Sequence, residues 1–243
     1  MKSLQIEALG NTLIGVNKTE NEDAFYYNIV KRKEGHAGVF VVCDGVGGLQ
    51  NGAETSKQVV SAIKQWWAQE YSDEMTISTC VETLQSSIDR VNTRVIERAQ
   101  QAKTASTVVV LVLLDGKYIL VNAGDSRAYK LIKQLFSNFK QLSTDHTTTV
   151  STQTESGVRK KRVLTECIGY KESISFAVTQ GDINTKDTFL LCSDGIYKTI
   201  NDNTLQKILT SSKTIADANE ALFTLTAQND EKDDVTAIIV QVI

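Results

Sequence analysis

Five aspartates in this chain, Asp23, Asp44, Asp125, Asp194 and Asp233, stand where an apolar run begins or ends. The pattern is sharpest at Val39-Phe40-Val41-Val42-Cys43-Asp44-Gly45-Val46-Gly47-Gly48, a strand-like run that stops at a carboxylate and passes into glycines. Glycine frees the backbone to turn and to come close to a ligand. A lone Asp-Gly is chiefly a turn signal, but the same arrangement returns at Leu190-Leu191-Cys192-Ser193-Asp194-Gly195, and Asp125 ends another apolar run. In an antiparallel sandwich the start of one strand and the end of its neighbour share an edge, so all five carboxylates can gather there. Crowded carboxylates repel one another and are costly to desolvate, and a divalent metal cluster removes that cost. Ligation by oxygen alone suits Mg²⁺ or Mn²⁺ better than zinc. Two such ions bridged by carboxylates lower the pKa of a bound water and clamp a phosphoryl oxygen. Phosphate monoesters need that help, since their uncatalysed hydrolysis is among the slowest known. Spacing thus favours metal-dependent hydrolysis over a merely acidic surface and leaves the substrate open.

Other chemistries find less support. His36 and His146 lack zinc-ligand spacing, and solvated or locally hydrogen-bonded imidazoles are expected. No G-x-S-x-G elbow occurs, and Cys43, Cys80, Cys167 and Cys192 form no C-x-x-C pair. Cys43 and Cys192 lie within apolar runs, where a buried free thiol is expected, consistent with a reducing cytoplasm. The net charge of -3 gives no reason to expect nucleic acid or an anionic membrane as partner. No apolar stretch is long enough for a signal peptide or a bilayer span.

The elements that must position the carboxylates can be read in order. Residues 24–30 and 37–44 form a hairpin about a charged turn, which puts Asp23 beside Asp44. Val59, Val60, Ile63, Trp66 and Trp67 keep helical spacing, as do Ile77, Val81, Leu84, Ile88, Val91 and Val95, with the tryptophans packing on a sheet. Strands are expected at 106–114, 118–123, 128–132, 136–142, 173–179 and 187–192, then helices at 202–211 and 215–228, then a last strand at 235–242. Residues 144–162, polar and ending in Arg159-Lys160-Lys161-Arg162, read as a mobile, irregular surface loop. Helices segregated from mostly antiparallel strands indicate an α+β sandwich.

The ordered set Asn21-Glu22-Asp23, Asp44-Gly45-Val46-Gly47-Gly48, Ala105-Ser106-Thr107, Gly124-Asp125-Ser126-Arg127, Asp145-His146, Ser193-Asp194-Gly195 and Asp233-Asp234-Val235-Thr236 resembles the metal-dependent protein phosphatase 2C family in its compact bacterial form. The resemblance spans nearly the whole chain and implies one catalytic domain over residues 1–243. Its fold would be a four-layer α/β/β/α sandwich, two mostly antiparallel sheets flanked by pairs of helices, with 144–162 as a variable flap. It implies two Mn²⁺ or Mg²⁺ ions, with Asp44 bridging, Gly45 offering its carbonyl, and Asp194 and Asp233 completing the set. Glu22 and Asp23 would orient metal-bound waters, and a metal-bridging hydroxide would attack phosphorus in line without a phosphoenzyme. The implied function is hydrolysis of phosphoserine and phosphothreonine in phosphorylated proteins, opposing a Ser/Thr kinase, by a cytoplasmic monomer.

Departures from the family pattern are specific. Lys18 stands where relatives carry an Arg that grips substrate phosphate, which keeps the charge and loses the bidentate fork. Val46 and Leu49 stand where relatives may carry a His that protonates the leaving group, so no general acid is assigned. Asp125 matches a ligand of a third metal site, but Lys198 replaces an acidic ligand there, which should weaken that ion. Asp234 replaces an Asn and adds a charge. Two alternatives remain: a non-catalytic phosphoprotein-binding module on the same fold, and a hydrolase of small phosphorylated metabolites.

Overall fold

The computed structural model describes residues 4–32, 35–46, 51–99, 103–133, 137–154, 157–229 and 232–243. One five-stranded sheet takes the order β10 (Ala177–Asp182), β5 (Lys117–Ala123), β4 (Val108–Leu114), β3 (Gly35–Asp44), β2 (Asp23–Arg32). A second takes the order β1 (Ile6–Leu13), β12 (Val235–Val242), β11 (Thr188–Cys192), β6 (Arg127–Ile132), β7 (Asn138–Gln141). All these strand pairs are antiparallel.

The central strands are unbroken apolar runs because both faces of each sheet are covered. In β3, Val39, Val41 and Cys43 turn outward against α1 (Gly52–Glu70) and α2 (Ile77–Ala99), while Phe40 and Val42 turn inward. The inward set meets Ile6, Phe189, Leu191, Ile238 and Val240 of the other sheet. That sheet's outer face, with Tyr129, Leu131, Leu190 and Ile239, packs against α4 (Asp202–Ser211) and α5 (Ile215–Gln228). Side-chain alternation at a period of two therefore builds three apolar layers from single strands, and the expected α/β/β/α sandwich results.

Local chemistry fixes the helix starts. Asn201 Oδ1 accepts from the Thr204 N–H, and Thr214 with Asp217 forms a capping box at the head of α5. The indoles tie α1 to its neighbours: Trp66 Nε1 donates to Thr83 Oγ1 of α2 at 3.0 Å and Trp67 Nε1 to Asn28 Oδ1 of β2 at 3.1 Å. All four cysteines are buried and free, and burial pushes every thiol up, so none is a ready nucleophile.

Three expectations about elements need correction. Residues 144–162 are not an irregular loop: β8 (Thr147–Thr154) and β9 (Gly157–Leu164) pair as a two-stranded antiparallel hairpin, as their β-branched content allows. The strand read at 173–179 begins at Ala177 and runs to Asp182, where register with β5 decides it. His36 lies within β3, not in the turn, and its Nδ1 accepts from the Ile6 N–H at 3.0 Å. Gly47, Gly48 and Leu49, and the first residue of the strand read at 136–142, lie outside the described residues.

Candidate functional site

The β2–β3 register sets Asp23 directly opposite Asp44, as the hairpin requires. Asp44 is clamped by Thr107, whose Oγ1 accepts from the Asp44 N–H at 2.9 Å and whose own N–H donates to the Asp44 carbonyl at 2.8 Å. Thr107 Oγ1 in turn meets Ser126 Oγ at 2.6 Å. These hydroxyls, which sequence reasoning passed over as mere markers, tie the end of β3 to the starts of β4 and β6. Burial pushes the Asp44 carboxyl well up, and the charges of Asp23, Asp194, Asp233 and Asp125 add to the rise. The five aspartates read from the sequence therefore share one edge of the sandwich.

Gly45 follows in a crevice that admits no side chain. A Cβ there would lie 2.5 Å from the Gly52 carbonyl oxygen and 2.7 Å from that of Glu22. Its N–H donates to the Glu22 carbonyl at 3.0 Å, which also accepts from Ser56 Oγ at 2.6 Å.

Asp23 is buried, and its Oδ2 accepts from Ser193 Oγ at 2.7 Å. Ser193 Oγ also accepts from the Thr236 N–H at 3.0 Å, so one carboxylate joins the two sheets through β11 and β12. Burial pushes Asp23 up to about 7, against the hydroxyl hydrogen bonds and with help from Asp234 and Asp194. Asp194 opens the short helix α3 (Asp194–Tyr197). Its carboxyl is raised by burial, opposed by Lys198, whose ammonium pairs with Oδ2, and raised further by Asp233 and Asp125. Asp194 Oδ1 is buried with no hydrogen-bond partner.

Lys18 places its ammonium 2.6 Å from Asp233 Oδ1, 2.9 Å from Asp234 Oδ2 and 3.1 Å from Glu22 Oε2. Burial alone would lower its pKa, but these three carboxylates raise it, and the group stays charged. Asp234 proves to be a clamp and not simply an added charge. It is buried, Oδ1 accepts from the Gly15 N–H at 2.8 Å, and Oδ2 accepts from the Glu22 N–H at 2.8 Å. An Asp-Asp doublet before a strand gave no sign of which carboxylate would turn inward.

On the other flank, Asp125 is raised by burial and eased by Lys198 and Arg162. His146 supports the turn before it: Nδ1 accepts from the Gly124 N–H at 3.2 Å, and burial lowers its pKa, so it is neutral. Asp145 holds Arg127 through both oxygens and Arg162 through Oδ2. The Arg127 guanidinium lies 3.7 Å from the Tyr197 ring centroid. Beside the edge, a groove of about 400 Å³ is lined by Lys18, Glu20, Glu22, Asn51 and Glu54.

The donor set suits a hard divalent ion: oxygen only, mutually repelling, with Asp194 Oδ1 unsatisfied in the interior. Among the described residues, no three acidic, imidazole or thiol side chains already converge as a closed ligand set. The lysine ammoniums hold Asp233 and Asp194 instead.

An antiparallel α/β/β/α sandwich with a carboxylate-lined edge defines a narrow class of protein. The chain belongs to the protein phosphatase 2C family, whose model matches residues 15–235. It is 25% identical over 240 residues to the protein phosphatase PhpP of Streptococcus pneumoniae, covering 94% of each chain. The serine/threonine phosphatase Stp1 from Staphylococcus aureus superposes with a TM-score of 0.81 at 25% identity, covering 98% of this chain and 95% of that one. The catalytic domain of the serine/threonine protein phosphatase PstP, solved with two manganese ions, shares the fold at a TM-score of 0.74 and 19% identity, covering 99% of each chain. No helix among the described residues is long and apolar enough to cross a membrane.

Proposed function

We propose that this chain is a serine/threonine protein phosphatase that hydrolyses phosphoserine and phosphothreonine in proteins. The observation that carries the reading is Asp44, raised by burial and by four neighbouring carboxylates at one sandwich edge, within a chain of the protein phosphatase 2C family. The names of its relatives support phosphoprotein substrates, and the manganese-bound neighbour supports a pair of Mn²⁺ or Mg²⁺ ions. Asp44, Asp194 and Asp233, with the Gly45 carbonyl, would hold those ions, and Asp125 would contribute to a third that Lys198 disfavours. Bound there, the ions supply an activated water and neutralise phosphoryl charge.

The chain's own residues do the rest. Glu22 and Asp23 orient water at the edge, Asp23 being fixed by Ser193. Lys18 offers its ammonium to a phosphate oxygen after leaving the carboxylates it holds. Water attacks phosphorus in line and releases its proton to solvent, the new P–O bond forms as the ester P–O bond breaks, and the departing serine or threonine oxygen takes a proton from solvent. Val46 offers no acid for that proton, and Leu49 lies outside the described residues. The setting we assign is one domain, residues 1–243 with 144–162 as its flap, acting as a cytoplasmic monomer against a Ser/Thr kinase or its substrates. Four buried free thiols support a reducing compartment.

Mn²⁺-dependent phosphate release from a phosphothreonine peptide tests the reading. Asp44→Asn should lose about a hundredfold or more in rate, and equal rates in both proteins would overturn the assignment. The lysine-held carboxylates favour one second reading, a phosphoprotein-binding module without turnover. It requires peptide binding with no phosphate release at any Mn²⁺ concentration.

A further inference from the structure

We propose that the β8–β9 hairpin is a docking arm for acidic segments that flank the phosphorylated residue of a protein substrate, an inference that rests on the phosphatase reading. The hairpin pairs with neither large sheet, and residues 148–153 and 158–162 are exposed. Strand β9 carries Arg159, Lys160, Lys161 and Arg162 in succession, facing Thr152, Ser151, Val150 and Thr149 of β8. β8 contains no carboxylate. Among the described residues only Arg162 of the four cations has an acidic partner, Asp145.

Alternation sends Lys160 and Arg162 to one face, beside the hydroxyls of Ser151 and Thr149, and Arg159 and Lys161 to the other. Four adjacent cations repel one another, and among the described residues no carboxylate stands opposite them across the hairpin. On a chain whose net charge is -3, this is a local concentration of exposed positive charge that an anionic segment would complement.

The root of the hairpin fixes where that anion belongs. The His146 N–H donates to the Gly124 carbonyl at 3.0 Å, and the Thr165 N–H donates to the His146 carbonyl at 2.9 Å. Arg162 donates to Asp145 Oδ2, the same carboxylate oxygen that holds Arg127 next to the Gly124–Asp125 turn. The row of cations therefore starts at the carboxylate edge and leads outward for about 10 Å, at roughly 3.3 Å per residue. An extended peptide with its phosphate at the edge can lay Asp, Glu or a second phosphorylated residue along that row. Charge complementarity of this kind sets partner choice and encounter rate more than it sets contact area.

Fluorescence anisotropy of two labelled phosphothreonine peptides, one flanked by Glu and Asp and one by Gln and Ala, decides the matter on the full chain. Wild type should bind the acidic peptide about tenfold tighter at low salt, and less so at high salt. The triple variant R159E/K160E/K161E should lose that preference while keeping its thermal midpoint and its Mn²⁺-dependent hydrolysis of p-nitrophenyl phosphate. Equal affinities in wild type, or a preference that survives in the variant, would overturn the inference. So would tighter, variant-sensitive binding to phosphatidylserine vesicles or single-stranded DNA. Anisotropy reads binding whether or not phosphate is released. A retained preference without hydrolysis therefore sinks the phosphatase reading alone, and hydrolysis without preference sinks the docking arm alone.

Discussion

Lys18 has three ammonium protons and three carboxylate partners, and two of those partners serve different ends. Asp233 is proposed to hold metal, while Asp234 is a buried backbone clamp. The ammonium thus acts as a resident counter-ion that divalent metal must outcompete at Asp233. Lys18→Ala should raise Mn²⁺ affinity measured by calorimetry. It should also lower the stability of the metal-free protein by about 1–2 kcal/mol in chemical denaturation, since the lysine is partly solvated. An unchanged Mn²⁺ affinity would show that the ammonium yields without cost. Lys198 stands in the same relation to Asp194, but more exposed, so Lys198→Ala should shift metal affinity in the same direction and stability less.

Elements are joined at the edge by side chains acting on backbone. Asp234 fixes the segment before β2 to the start of β12 through the Gly15 and Glu22 amides. Asp234→Ala leaves both N–H groups and the Lys18 ammonium short of a partner, a loss of about 2–4 kcal/mol. Amide hydrogen exchange at Gly15 and Glu22 should accelerate first, before the strands of either sheet. Exchange that stays slow there would mean that other contacts hold the segment. On the opposite flank, Asp145 and Arg127 do the corresponding work for β6, and Arg162 extends it to the hairpin.

Across the molecule, the carboxylate edge makes stability depend on pH and on metal with opposite signs. Asp23 rises from 3.8 to about 7 on folding, because burial and neighbouring charges favour the protonated form. A carboxyl raised in the folded state contributes stability that is complete below about 3.8 and is lost as pH climbs through about 7. In chelator, the thermal midpoint should therefore fall between about pH 4 and about pH 7, and Asp23→Asn should flatten that fall. Saturating Mn²⁺ binds deprotonated carboxylates, so its stabilisation should grow over the same range. An excess of about a hundredfold over Kd corresponds to about 2.7 kcal/mol. A Mn²⁺ effect that is independent of pH would contradict a carboxylate site.

Periodicity and strand-end residues alone determined an α+β sandwich, the β2–β3 hairpin and the five strand-end aspartates, because alternation at a period of two is a local property of the chain. Val39 to Gly45 began as a strand ending in a turn, and hairpin geometry already set Asp44 beside Asp23. The hairpin at 147–164 escaped the reading because its exposed faces carry no apolar alternation, and pairing alone defines it. Only the tertiary structure decided which carboxylate is buried on backbone amides and which is left at the edge. Asp233 and Asp234 are neighbours in sequence, yet one is partly exposed at the edge and the other is buried on two amides from a segment more than two hundred residues away. Hydrogen bonds of that kind depend on where distant strands end. No local pattern encodes them.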